Sequence, residues 1–332
     1  MKQGNASMSI TRRLALASTI ATVTTAARAQ SADGWPSRPI RLVVPFPPGG
    51  STDVVGRIIA ERLQAQLGQS VVVDNRGGAS GAVGSQAVAR TPPDGYAFVV
   101  SGVGSHGIVP AVNPNPGYDA VKDFTHVGML GIFHSVLVVH PSFSARTIGD
   151  FIAEAKRRPG AIDYATSGNG SSNHLLGELL KLESGIDIVH VPYRGAGPAL
   201  QAVLANEVPA MCDSLPSAAP HIRAGSLRPI AVSSRQRLAS FADVPTFVEA
   251  GFPNVVVENW FGIAGPAGLP PAITHRVSAA LASILTDQVT ATRLREIGLE
   301  PQPMPPAEVE RFVAANVAFW ADTVRRAKVT AN

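Results

Sequence analysis

Val43-Val44-Pro45-Phe46-Pro47-Pro48-Gly49-Gly50-Ser51-Thr52-Asp53 is the stretch on which the fold turns. An apolar run from Ile40 to Val44 enters a Pro/Gly loop and passes straight into an amphipathic segment. There Val55, Ile59, Leu63 and Leu67 recur at i, i+4, i+8 and i+12, with Gly68 as the stop. Strand, loop and helix in that order aim the free N–H groups of the first helical turn at whatever sits before it. Gly49 and Gly50 remove Cβ atoms where a ligand approaches the backbone, and Ser51 and Thr52 add hydroxyls. Taken alone, the stretch fits two readings, an ordinary strand-to-helix turn and an anion cradle.

The same grammar recurs downstream. Ser70 to Val73 reads as a second strand, entering Asn75-Arg76-Gly77-Gly78 and then a helix to about Arg90. Tyr96 to Val100 reads as a third, followed by Ser101-Gly102-Val103-Gly104-Ser105-His106. The apolar stretch from Val127 to Val139 reads as one strand leaving this unit and another opening a second unit. In that second unit Thr147-Ile148-Gly149-Asp150 is a capping box. Ile162 to Ala165 leads into Ser167-Gly168-Asn169-Gly170-Ser171-Ser172-Asn173-His174 and a helix. Ile186 to Val191 leads into Pro192-Tyr193-Arg194-Gly195, and Pro209 to Cys212 delivers Asp213 at a strand end. Val255 to Ile263 carries the chain back. The fold class expected is α/β in two lobes with a ligand cleft between them, because such loops gather at the carboxyl ends of parallel strands. The divisions read are 1–29 as an export signal, 30–131 as the first lobe, 132–254 as the second and 255–332 as the return.

The signal reading rests on Lys2, Arg12 and Arg13 before an apolar run, with Ala27-Arg28-Ala29 as a small-x-small cleavage site. Met1 and Met8 are both possible starts, and Thr11-Arg12-Arg13 leaves the Sec and twin-arginine routes open. Periplasmic localisation follows. Lys2, Arg12, Arg13 and Arg28 are four of 28 basic residues, and the other 24 balance the 24 acidic ones. The net charge of +4 belongs to the signal and gives no argument for nucleic acid. A single cysteine, Cys212, allows no intrachain disulfide.

Enzyme chemistry finds little purchase. No G-x-S-x-G occurs, so a hydrolase built on Ser171 and His174 is the weaker alternative to a binding loop. The eight histidines are scattered without H-E-x-x-H, so no metal is expected. G-x-x-x-x-G-K-[ST] is absent, the glycines from Gly77 to Gly84 never make G-x-G-x-x-G, and no cofactor is expected. What remains is a site of backbone N–H groups, hydroxyls and Asn75, suited to a small carboxylate, with Tyr193 as an apolar wall. Asp53, in the first turn of its helix, is read as ordering the loop.

These residues resemble the substrate-binding proteins of tripartite tricarboxylate transporters, the Bug or TctC family. The resemblance rests on Val44 to Asp53, Asn75-Arg76 with Gly78, Asp123-Phe124, Ser167 to Ser171 with His174-Leu175, and Val191 to Gly195. Asp243-Val244-Pro245-Thr246, Glu249-Ala250-Gly251 and Trp260 complete it. It implies a periplasmic binding protein fold of the Venus-flytrap type II kind, without enzymatic activity, delivering a small carboxylate to a membrane permease pair and acting as a monomer. It implies further that the loop Phe46, Pro47, Gly49, Gly50, Ser51, Thr52, Asp53 and the loop Ser167, Gly168, Gly170, Ser171, His174 close on one carboxylate. Asn75, Gly104, Ser105, Tyr193, Gly195 and Asp213 complete the expected ligand shell. Gly77, Ser80 and Arg194 depart from the family pattern of Pro, Gly and Lys, which bears on ligand identity. A receptor feeding a sensor instead of a permease fits the same residues.

Overall fold

The computed structural model describes residues 34–113 and 115–327. The export segment read at 1–29 lies outside them. In chain order the elements are β1 (Ile40–Val44), α1 (Ser51–Leu67), β2 (Val71–Asn75), α2 (Ala82–Ala89), β3 (Ala97–Gly102), α3 (Val109–Val112) and β4 (Phe124–Val139). Next come α4 (Ile148–Arg157), β5 (Asp163–Thr166), α5 (Ser172–Ser184), β6 (Val189–Pro192), α6 (Ala196–Leu204), β7 (Ala210–Ser214), α7 (Leu215–Arg223) and β8 (Arg228–Val232). The chain ends with β9 (Glu258–Pro266), α8 (Pro271–Thr286), α9 (Gln288–Glu296), β10 (Leu299–Pro301) and α10 (Pro306–Ala327). Among the described residues no helix is long and apolar enough to cross a membrane.

One strand joins two sheets. In the first, β2, β1 and β3 run parallel, and β9 lies antiparallel between β3 and the first part of β4. In the second, Ser135–Val139 pair antiparallel with β7 on one side and residues of β8 on the other, while β7, β5 and β6 run parallel. The two strands expected between Val127 and Val139 are therefore a single 16-residue strand. A strand covered on both faces needs no polar break, so its apolar run does not mark where one sheet hands over to the next. The handover is made by pairing: register shifts at His126/Gly128 and Met129/Gly131 bend the first part before Ser135 finds β7.

Alternation along the strands builds the cores. Leu137 and Val139 face the cluster with Phe151, Tyr164 and Leu176, while Val136 and Val138 face Leu200, Val203 and Met211 on the opposite side. In the first sheet Leu42 and Val44 pack on Val55, Ile59 and Leu63 of α1, and Val43 turns to the other face. The chain thus forms two α/β lobes, one around each sheet. The carboxyl ends of β1 and β3 in the first, and of β5, β6 and β7 in the second, open into the glycine- and serine-rich segments that start helices.

Candidate functional site

A cavity of about 80 Å³ lies where these segments meet. The first lobe contributes Gly50, Ser51 and Thr52 from the start of α1 and Gly104 from the π-helical turn Val103–Ile108 after β3. The second contributes Ser171, Ser172 and Asn173 from the start of α5, Ala196 from the start of α6, and Ser214 immediately before α7. Four α-helices therefore direct their N-termini, each with a partial positive charge, at one small volume. Among the described residues no charged side chain lines it. A larger cavity of about 780 Å³ shares Phe46, Ser80 and Ser167 with the first and extends along Pro47, Gly168, Tyr193 and Arg194.

The first clamp loop is held from below by a charged network. Asp53 accepts from the Gly49 N–H (3.0 Å), from Arg57 Nε (3.0 Å) and from Asn75 Nδ2 (2.9 Å). Asn75 also donates to the Phe46 carbonyl (3.1 Å). Burial acts to raise the Asp53 carboxyl, but the hydrogen bonds from Arg57, Gly49 and Asn75 outweigh it and hold the group below its ordinary range. The residue orders the loop, as its place in the first turn of the helix suggests.

Neutral groups hold the second clamp loop. Ser171 caps α5, accepting from the His174 N–H (3.1 Å) and donating to the Gly168 carbonyl (2.8 Å). The His174 ring accepts from the Gly170 N–H at Nδ1 (3.2 Å) and stacks on His190 with centroids 4.0 Å apart. Burial, and then its neighbour His174, push His190 down to about 4. Ser171 meets the backbone of His174 and not its ring, whose Nδ1 is already occupied, so the two do not form a nucleophile–base pair.

The lobes touch directly. An added Cβ at Gly197, on α6, would lie 2.1 Å from the Pro48 carbonyl oxygen, and one at Gly195 would lie 2.8 Å from Pro47 Cδ. Only glycine lets the first clamp loop seat on the start of α6. Ser51 Oγ lies 2.8 Å from Ser217 Oγ and accepts from the Ser217 N–H (3.1 Å), joining α1 to α7. Behind it, Ser217 Oγ lies 2.7 Å from Asp213 Oδ2. Burial pushes the Asp213 carboxyl up to about 7, against the hydrogen bonds from Ser217 and the Ser214 N–H.

Of the expected ligand shell, Phe46, Gly50, Ser51, Thr52, Gly104, Ser167, Gly170 and Ser171 line the inner cavity. Pro47, Gly168, Tyr193 and Gly195 line only the outer one. Gly49, Asp53, Asn75, Ser105, His174 and Asp213 line neither and stand one layer back. Ser105, for example, is buried against His106 Nδ1 (2.9 Å). Asp213 differs from its expected place for a simple reason: β7 runs on through Ser214, so the residue sits inside the strand with its side chain under α7.

Asn173 and Asn259 are among the wall residues left out of the expected ligand shell. Asn173 lies in the loop already singled out, and its amide is fixed by Ser135, Ser214 and Ser167 (3.2, 3.2 and 3.3 Å). Asn259 lies on β9, and only its pairing with Phe133 brings it to the cavity. Its amide oxygen is buried and has no partner among the described residues.

Comparison with known proteins places this architecture. Residues 55–328 match the Tripartite tricarboxylate transporter family receptor. Protein BugT of Bordetella pertussis is 37% identical over 319 residues, 96% of this chain and 98% of BugT. Rpa4515 of R. palustris, solved with adipate, is 37% identical with a TM-score of 0.85, over 89% of this chain and 99% of that one. MatC from Rhodopseudomonas palustris, solved with bound malate, is 33% identical with a TM-score of 0.80, over 87% and 100%. The chain belongs to the tripartite tricarboxylate transporter receptor family, the Bug/TctC group of two-lobed solute-binding proteins, and is not an enzyme.

Proposed function

We propose that this protein is a periplasmic receptor that captures a small carboxylate between its lobes and presents the closed form to a membrane permease pair. The observation that carries the reading is the convergence of four helix N-termini on a cavity that, among the described residues, no charged side chain lines. Such a wall attracts an anion through fixed dipoles and N–H groups without burying a cation beside it. The inner cavity suits the carboxylate head, and the outer one has room for the rest of the molecule beyond Phe46, Ser80 and Ser167. The adipate and malate held by two structural relatives agree with this chemistry.

The lobes are proposed as 30–131 with 255–332, and 132–254. The cores favour that division, since one gathers residues up to Phe133 and from Phe261 onward while another runs from Leu137 to Val257. The receptor is proposed to act as a monomer. Export rests on the segment before Gln30 as a cleavable signal, by either the Sec or the twin-arginine route.

Mass spectrometry of acids retained by gently purified protein, followed by a thermal-shift panel of mono-, di- and tricarboxylates, tests the proposal. A ligand at 100 times its Kd adds about 2.7 kcal/mol of stability, a shift of several degrees. No retained acid and no response across the panel would sink it.

A further inference from the structure

The contact between lobes contains a chain of hydroxyls with a carboxyl at its buried end. Ser51 lines the inner cavity, Ser217 lies behind it, and Asp213 lies behind Ser217, at 2.8 and 2.7 Å. Each hydroxyl has one proton to give, so the direction of the whole chain depends on its end. With Asp213 ionised, Ser217 donates to the carboxylate, the stronger acceptor compared with the Ser214 carbonyl at 2.9 Å. Ser51 then donates to Ser217, and only a lone pair faces the cavity. With Asp213 protonated, the carboxyl donates to Ser217 and Ser217 donates to Ser51. Ser51 accepts this bond as well as the one from the Ser217 N–H at 3.1 Å, and its own O–H is released toward the cavity.

We infer that Asp213 and Ser217 are positioning residues that turn Ser51 into a donor for the bound anion, so that ligand capture takes up a proton at Asp213. The inference rests on the carboxylate reading of the site. Three further observations support it. Asp213 is fully buried. Its Oδ1 has no partner among the described residues, a poor setting for a carboxylate and a tolerable one for a neutral acid. Burial also brings the group up to about 7, so the switch falls within an accessible pH range.

The other titratable groups on the packed elements do not take its place. Cys212 on β7 and Tyr164 on β5 are pushed up by burial, beyond the range that matters. His134 on β4, His174 on α5 and His221 on α7 are all lowered, by burial first. Glu178 on α5 and Asp53 on α1 are held low by their hydrogen bonds, against burial. Arg57 on α1 is bound to Asp53, and Arg223 on α7 to the Glu296 carbonyl.

Isothermal titration calorimetry with adipate and with malate tests the coupling, both acids being ionised from pH 6.5 to 8.5. Runs in phosphate and in Tris, whose ionisation heats differ, read proton uptake directly. The wild type is expected to take up close to one proton at pH 8.5 and to lose affinity by up to about tenfold per pH unit above neutrality. Asp213→Asn carries no titrating proton and is expected to give a flat pH profile with no uptake. Ser217→Ala interrupts the chain and is expected to bind several-fold more weakly, also with a flat profile. Equal heats in the two buffers, with a wild-type Kd that does not move with pH, would overturn the inference, and this measurement decides even if a variant fails to fold. Binding of neither acid at any pH overturns the receptor reading for these ligands, and the inference with it.

Discussion

The two clamp loops perform one task with opposite chemistries. In the first lobe the N-cap of α1 is Gly50, which caps nothing, and the loop is held through Asp53, Asn75 and Arg57 beneath it. In the second lobe the N-cap of α5 is Ser171, which caps its own helix, and the loop is held by Gly168, Gly170 and the neutral His174–His190 stack. A helix start without a side-chain cap keeps its N–H groups for a ligand, whereas a capped start has already used one. Of the two clamp loops the first therefore offers more to the anion, and the second offers a firmer frame. The two also fail differently in acid. A depressed carboxyl contributes stability above its unfolded pKa and loses it as pH falls through the folded value, so the first frame weakens only in strong acid. A depressed histidine loses its contribution as pH falls below about 6.5, so the second frame weakens earlier, down to about pH 4 for His190.

The most damaging way to break the comparison is to keep the loops from meeting. Gly197→Ala places a Cβ against the Pro48 carbonyl, and overpacking of this kind costs about 1–3 kcal/mol. The cost falls on the closed form, so Kd is expected to rise roughly 5- to 100-fold by calorimetry while circular dichroism stays native. An unaltered Kd would mean that the loops need not touch. Removing the first frame comes next. Asp53→Ala leaves the Gly49 N–H and the Asn75 amide without their partner and should lower unfolding stability by about 2 kcal/mol in denaturant melts, with weaker ligand binding.

Asp213→Asn has an effect of opposite sign that grows with pH. A carboxyl raised to about 7 contributes its full stability below its unfolded pKa and loses it as pH rises through 7. Relative to the wild type, the asparagine variant should gain about 1.4 kcal/mol between pH 6 and 8.5, the last part of a gain that begins near the unfolded pKa of about 3.9 and levels off above 7. Parallel melting curves across that range would remove Asp213 from the account.

Much of this was legible in the sequence. The apolar spacing of α1, the capping box at Thr147 and the repeated strand–glycine–helix grammar are local signals, and each element they announced is present. Eight of the expected ligand residues reach the inner cavity because they lie in those local segments. Asn259 was illegible, because only the pairing of β9 with β4 carries it to the wall. Ser217 was illegible for the same reason, since its partner Ser51 lies 166 residues away. The single strand β4 hid behind its own apolarity, and Asp213 behind one further residue of strand.

The finest test exchanges the caps. Ser171→Ala removes a cap worth about 1 kcal/mol, and Ser171→Gly is expected to cost only a few tenths. In the first lobe Gly50 has the extended backbone of an N-cap (φ −83°, ψ 169°), and an added Cβ would meet the Ala196 Cβ at an ordinary 3.4 Å. Gly50→Ser can therefore cap α1, adding a few tenths of a kcal/mol to stability by thermal melts. The same serine occupies an N–H that the uncapped start holds open, so carboxylate binding should weaken by a few-fold. Stability and affinity thus move in opposite directions at Gly50 and in the same direction at Ser171. A Gly50→Ser variant that gained both would mean that the open N–H groups of α1 are not what the ligand uses.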